Sequence, residues 1–322
     1  MPDTGVQVTY IAGLGRSGTT VLDQLLGAQP GFFSAGELIN IWRNGVLLDY
    51  TCACGTPFSS CPFWDRVRLT DPGLLTRQTA TEVVEYQQQA IRNRLMYRVW
   101  WAGGRKRAVR DMPRQYFDNL GRLYRAIWTA NGGLNIVDSS KDPIYAHLLI
   151  ESGAAATVNL IHMVRDPRAV AYSRMQRMLD PTSPGATEYL GSKPLALTAA
   201  LWVEWNATIE RMGRVFPIHY RLLRYEDFAK DPESCLRQLA LRVRSDSKIA
   251  PQTIEDRRVW HTVYGNPSRL RRGQIVVRPD ARWLQGMRMG DVRMVNLITA
   301  PLLLRYGYPF RPRTGGTSPS DV

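Results

Sequence analysis

Apolar positions along the chain alternate between two periods, starting at the amino terminus. Val6 to Ala12 is a short apolar run that stops at Gly13, and Thr20 to Gln29 then carries Val21, Leu22, Leu25 and Leu26 at helical spacing. The pair reads as strand, glycine-rich turn, helix. Asn135 to Val137, Val158 to Val164 and His219 to Tyr225 have the same strand character, each followed by a segment that fits a helix. Strands alternating with helices predict an α/β fold with a central parallel sheet covered on both faces.

Longer helical patterns run from Thr81 to Trp101, closed by Gly103-Gly104, and from Gln115 to Thr129, closed by Asn131-Gly-Gly133. Both are expected outside the core sheet. Asp180 to Pro194, with three prolines and two glycines, predicts an exposed loop or lid. No internal repeat or interdomain linker interrupts the pattern. Residues 1–310 therefore read as a single domain, and the Pro/Gly/Ser/Thr-rich stretch 311–322 as a disordered tail.

At 322 residues and 44% apolar, the chain can bury one large core. Its formal charge is +14, and only five of its 42 basic residues are lysine. Arginine suits bidentate contact with phosphate or sulfate, so the balance predicts an anionic ligand or surface without choosing one. No apolar run approaches the roughly 20 residues needed to cross a bilayer, and the amino terminus has no basic segment before an apolar one. The expectation is a cytoplasmic protein without a transmembrane segment. Cys52, Cys54 and Cys61 cluster while Cys235 stands apart. Three are one short of the usual zinc set, so they read first as buried or oxidised thiols, with a fourth ligand from elsewhere as the alternative.

The chemistry begins at Gly13-Leu-Gly-Arg-Ser-Gly-Thr-Thr20, which has the frame of a Walker A phosphate loop with Thr19 where the lysine belongs. Its glycines let backbone amides converge at a helix amino terminus, where the dipole favours negative charge. Arg16 adds a full charge, and Ser17, Thr19 and Thr20 add hydroxyls. Without the lysine, the bound anion is not expected to be a triphosphate. A second constellation is Ile161-His-Met-Val-Arg165-Asp-Pro-Arg-Ala-Val-Ala-Tyr-Ser173. An apolar strand delivers Arg165 to its end, and Pro167 suits the first turn of a helix carrying Ser173. In a doubly wound sheet Arg165 would share a crevice with the first loop, or else pair with Asp166 or another carboxylate.

Together these segments resemble the sulfotransferase family that uses 3′-phosphoadenosine 5′-phosphosulfate as donor. The resemblance implies that Gly15, Arg16, Ser17, Gly18, Thr19 and Thr20 bind the 5′-phosphosulfate, and that Arg165 and Ser173, eight residues apart, bind the 3′-phosphate. Ala35-Gly36-Glu37 matches the Gly-Glu of tyrosylprotein and carbohydrate-type members, and Asp138-Ser-Ser-Lys141-Asp-Pro143 resembles a segment of the tyrosylprotein enzymes. By that likeness Glu37 is the general base and Lys141 the cation beside the transferred group. A carboxylate can take the acceptor's hydroxyl proton, and an ammonium can meet charge on the leaving phosphate oxygen. Glu37 could instead cap a helix beginning near Leu38.

Near the carboxyl end, Arg271-Arg272-Gly273 is similar to the Arg-Lys-Gly that contacts the 3′-phosphate in cytosolic members, so Arg272 and Gly273 are candidates, with Arg269 competing. The cytosolic phenol and steroid enzymes use a histidine base, and none of the four histidines here stands at the matching place. His162 falls in a core strand, and His261 is near enough to the carboxyl-terminal loop to be a substrate contact.

The resulting expectation is sulfuryl transfer to an acceptor hydroxyl of a sugar, glycolipid or other metabolite, without metal and without nucleic acid as partner. A nucleotide kinase with Asp138 holding Mg²⁺ is one rival. A nucleic-acid-binding protein, suggested by the charge and by Arg105-Lys-Arg107 beside Trp100 and Trp101, is another. Neither the acceptor nor the oligomeric state is legible.

Overall fold

A computed structural model describes residues 5–90, 112–176, 178–183, 189–190, 192–243, 259–270, 273 and 275–311. Five strands form one parallel sheet: β1 (Gln7–Ala12), β2 (Phe32–Gly36), β3 (Asn135–Lys141), β4 (Thr157–Val164) and, after a short hairpin, β7 (His219–Arg224). Their order is β2-β3-β1-β4-β7. The chain thus runs from β1 to the edge at β2 and back to β3, then crosses β1 to β4. The strand order reverses at β1, which places the topological switch point, and the crevice that goes with it, above the carboxyl end of β1.

The central strands are buried on both faces, as a parallel sheet requires. Alternation along β1 sends Val8 and Tyr10 into one cluster with Ile136 and Leu160, and Ile11 into another with Val137, Ile161 and Met163. The second face is covered by helix α1 (Thr19–Gly27), whose Leu22, Leu25 and Leu26 are buried at the spacing read from the sequence. Each such side chain contributes roughly 2 kcal/mol of burial. The first face is covered by α4 (Arg114–Ala130) and α5 (Pro143–Ser152), which follow α2 (Pro62–Thr70) and α3 (Arg77–Ala90).

One strand is new and two expectations are revised. Phe32–Gly36 pairs with β3 as an edge strand that its short, mixed sequence did not announce. The helix expected over 81–101 begins at Arg77, and its described part ends at Ala90. Asp180 to Pro194 is not an exposed loop throughout, because Asp180, Thr182 and Ser183 are buried and Met178–Leu179 pairs with Tyr189–Leu190 as the hairpin β5–β6. Thr182 is tied inside by local and distant partners: Thr182 Oγ1 donates to Asp180 Oδ1 at 2.6 Å and the Thr182 carbonyl accepts from Thr51 N–H at 3.2 Å. Gly103-Gly104, Arg105 to Arg107, Trp100 and Trp101 lie outside the described residues, as does the tail beyond Arg311. Among the described residues, no helix is long and apolar enough to cross a membrane.

Candidate active site

Each of the five strands hands one piece of a cleft to the carboxyl edge of the sheet. β1 runs into the glycine loop, whose turn is closed by Ser17 N–H donating to the Leu14 carbonyl at 3.2 Å. Arg16 takes a left-handed backbone, φ +80°, and Gly18 does too, φ +91°. A non-glycine residue held there marks a loop whose surroundings override local preference. At Gly18 a Cβ would come within 2.3 Å of the Tyr225 ring edge, so both backbone and space call for glycine. α1 begins at Thr19 with no side-chain cap and no acidic residue in its first turn. Its first amides therefore lack an intramolecular anion, which is the arrangement that receives an external one.

β2 ends at Gly36 and delivers Glu37; β3 ends at Lys141, which has φ +71°. The two side chains form an ion pair across the cleft, 15% exposed for Lys141 and 10% for Glu37. Glu37 does not cap the short helical turn that follows it. Its other oxygen accepts from Asn40 Nδ2 at 3.2 Å. Beneath the pair, Ser140 Oγ donates to Asp138 Oδ1 at 2.5 Å and accepts from Ile39 N–H at 2.9 Å, tying the ends of β2 and β3 together. Asp138 is fully buried and also takes Ser140 N–H and the Tyr124 hydroxyl, so its carboxylate is spent on this brace and does not line the cleft. Burial pushes it up to about 6.

β4 delivers Arg165, and its guanidinium donates to the Arg16 carbonyl at 2.8 Å and to Asp280 Oδ2 at 2.7 Å while lying 4.8 Å over the Tyr225 ring. Its carboxylate partner is Asp280. Asp166 instead pairs with Arg168 at 2.6 Å and caps the next helix, α6 (Pro167–Met175). The hydrogen bonds from Arg282 and Arg165 hold Asp280 well below the usual carboxylate range. Ser173, two turns along α6, faces the same cleft.

The cleft has a volume of about 610 Å³ and, among the described residues, is lined by six cations, Arg16, Lys141, Arg165, Arg174, Lys193 and Arg282, against the two carboxylates Glu37 and Asp280. Burial lowers the Arg174 guanidinium, and facing Arg16 lowers it further; burial lowers Arg16 as well. Two guanidiniums forced together in a partly desolvated wall are relieved by an anion between them. The size suits a small-molecule ligand and the charge suits a multiply anionic one.

Thus Gly15, Arg16, Gly18, Thr19, Thr20, Glu37, Lys141, Arg165 and Ser173 all line one cleft. Ser17 is buried under the loop and does not line it. Arg272 lies outside the described residues, while Gly273 is exposed and does not line the cleft. Arg269 is corrected from a ligand candidate to a structural residue. It is buried and donates to the Thr262 and Val263 carbonyls at 2.8 and 2.7 Å and to Thr182 Oγ1 at 2.7 Å. Its neighbours Tyr264, Gly265, Asn266 and Ser268 face the cleft instead. His162 is a core residue, fully buried between Tyr220 and Asn206 and pushed down to about 4 by burial. Sequence reasoning missed Arg174, Lys193, Tyr225 and Arg282; only Arg174, adjacent to Ser173 on α6, carried a usable signal.

The sulfotransferase family pattern matches residues 9–243. Among solved structures, the chain is similar to the sulfotransferase domain of the Synechococcus PCC 7002 olefin synthase, at 19% identity and a TM-score of 0.53, covering 95% of this chain and 96% of that one. It is also similar to the sulfotransferase domain of the curacin biosynthetic pathway, at 16% identity and a TM-score of 0.51, covering 94% of this chain and 98% of that one. No curated protein matches. The two structural likenesses establish a shared fold.

Proposed function

The chain belongs to the sulfotransferase family, and from that premise we propose that it transfers a sulfuryl group from 3′-phosphoadenosine 5′-phosphosulfate to an acceptor hydroxyl, with Glu37 as base. The observation that carries this reading is the ion pair of Glu37 with Lys141 in a cleft where cations outnumber carboxylates and the second carboxylate, Asp280, is held by Arg165 and Arg282. The donor has two separated anionic ends. The glycine loop amides and Arg16 suit the 5′-phosphosulfate, and Arg165 and Ser173, across the loop, suit the 3′-phosphate.

Transfer then follows the in-line, loose pattern of related group transfers, where positioning and electrostatics supply most of the catalysis. The acceptor oxygen forms a bond to sulfur as the bond from sulfur to the 5′-phosphate oxygen breaks. The hydroxyl proton passes to Glu37, and the charge left on the phosphate is met by Lys141 and the loop amides. Before the donor arrives, Lys141 neutralises Glu37. The donor's anionic bridge competes for the ammonium, and Glu37 is released as a free base at the moment it is needed.

Gly36-Glu37 favours acceptors of the carbohydrate or tyrosylprotein class over small phenols, and the acceptor side of the cleft carries Tyr264 and Asn266, which suit a polar hydroxylated ligand. Incubating the protein with sulfur-labelled donor and a mixed extract of its own cells tests the reading. Label should move to a discrete product; tight binding of adenosine 3′,5′-bisphosphate with no label transfer would remove the enzymatic claim and leave the fold.

A further inference from the structure

We propose that Cys52, Cys54, Cys61 and His261 form a structural zinc site outside the catalytic cleft. The fourth ligand that the cysteine spacing lacked comes from 200 residues away. Cys61 Sγ lies 3.6 Å from Cys52 Sγ, 3.6 Å from Cys54 Sγ and 3.2 Å from His261 Nδ1. All four donor atoms lie within 4.8 Å of one another.

These spacings fit a metal better than any covalent pairing. A disulfide needs its sulfurs about 2.05 Å apart and would use only two of the three thiols. Zinc bonded to sulfur at about 2.3 Å and to nitrogen at about 2.0 Å sets tetrahedral edges of about 3.8 Å between sulfurs and about 3.5 Å between sulfur and nitrogen. The observed edges at Cys61 are already within a few tenths of those values. Three thiolates and one imidazole at tetrahedral spacing select zinc among common divalent ions, and four protein ligands leave no open position for a reacting water.

The surroundings build the site from both sides. Cys52 to Thr56 is a tight turn closed by Gly55 N–H donating to the Cys52 carbonyl at 2.8 Å and Cys52 N–H donating to the Thr56 carbonyl at 2.8 Å. Cys61 sits at the amino terminus of α2, where the helix dipole favours a thiolate. Cys52 and Cys61 are fully buried. His261 is held independently of any ion, its ring stacked on Phe63 with centroids 5.3 Å apart and its carbonyl accepting from Trp64 Nε1 at 2.9 Å. Ala53 N–H also donates to the Thr262 carbonyl at 2.9 Å.

The ion would therefore staple the loop before α2 to the segment that begins at His261. That segment supplies Tyr264, Gly265, Asn266 and Ser268 to the cleft, and a Cβ on Gly265 would strike the Glu37 carboxylate. Binding would release the thiol protons to solvent and fix this wall against the base. The site is thus a brace for cleft geometry, and it does not depend on the identity of the donor or acceptor.

The test uses full-length protein purified without chelator. Elemental analysis is expected to find about one zinc per chain. A thiol reagent applied to the folded protein should then modify Cys235 readily, the other three only after a chelator is added. Cys61→Ser and His261→Ala should each lose most of the zinc, and Cys235→Ser should retain it. Should those variants fail to fold, wild-type protein exchanged with cobalt should show the visible bands and thiolate charge-transfer absorption of a tetrahedral cobalt–thiolate centre. Protein that carries no zinc and takes up neither zinc nor cobalt when supplied would overturn the proposal.

Discussion

Replacing Glu37 by Gln gives opposite signs to turnover and affinity. Gln keeps the shape and a carbonyl for Asn40 while removing the proton acceptor and the charge facing Lys141. Loss of a positioned general base is expected to cost about 10²–10⁴ in kcat. The Lys141–Glu37 pair is 15% and 10% exposed, too enclosed to be a freely screened surface pair. Two unit charges about 4 Å apart at an effective dielectric near 20 attract by about 4 kcal/mol, and desolvation of both groups offsets most of that. A net release of about 1.4 kcal/mol on freeing Lys141 corresponds to roughly tenfold tighter binding of adenosine 3′,5′-bisphosphate. The donor-free variant should also be less stable, because a mostly buried ammonium has lost its carboxylate, and ligand-induced stabilisation should be larger than in the wild type. Steady-state kinetics and calorimetric titration at fixed ionic strength read both effects. Turnover within about threefold of wild type would refute the base assignment. Unchanged or weaker product affinity would refute the claim that Lys141 is shared between Glu37 and the donor.

Other outcomes follow from the same geometry. Lys141→Ala should lower kcat far more than donor affinity, and equal losses would reassign it to binding. Arg165→Ala removes charge-assisted hydrogen bonds beside the loop and should weaken adenosine 3′,5′-bisphosphate about 10- to 100-fold by titration, the equivalent of about 1.5–3 kcal/mol; a change under threefold would place the 3′-phosphate elsewhere. Gly18→Ala meets both the left-handed backbone cost of about 1–2 kcal/mol and the Tyr225 ring. Adding Tyr225→Ala should recover only the steric part in urea unfolding, and full recovery would show that φ at Gly18 costs nothing. Asp23 is buried against Ser34 and raised by burial to about 8. A raised carboxylate gives stability that is present below its unfolded pKa of about 3.9 and is lost as pH rises through about 8, so the urea midpoint of Asp23→Asn should fall less between those values than that of wild type. Parallel pH profiles for the two proteins would contradict the assignment.

Much of the site was legible because its residues stand at strand ends. The apolar period stops at Ala12 and Val164, and the residues that follow lie at the carboxyl edge of a parallel sheet, so Gly15, Arg16 and Arg165 could be placed together from short-range pattern, whereas the apolar run before Lys141 ends at Val137 and that lysine's role came from likeness. Ser173 was placed on a helix by Pro167, and its role came from the likeness of its spacing from Arg165. Glu37 was found by likeness, because the edge strand before it, Phe32–Gly36, is too short and mixed to declare itself.

Whatever depends on distant segments meeting was decided by the tertiary structure. Arg269 looked like an anion ligand in a basic loop, yet its guanidinium turns inward to the Thr262 and Val263 carbonyls and to Thr182, which only packing against the hairpin brings within reach. Asp280 became the partner of Arg165 across 115 residues, and His261 joined three cysteines across 200. The glycine loop with its missing lysine and the strand-end cations are set by backbone periods of two and 3.6 residues, which act over a few neighbours and are therefore written locally. Which charges are paired, which are left facing the cleft and which thiols find a fourth ligand depends on burial and contact between segments far apart in sequence, and local periodicity carries no information about that.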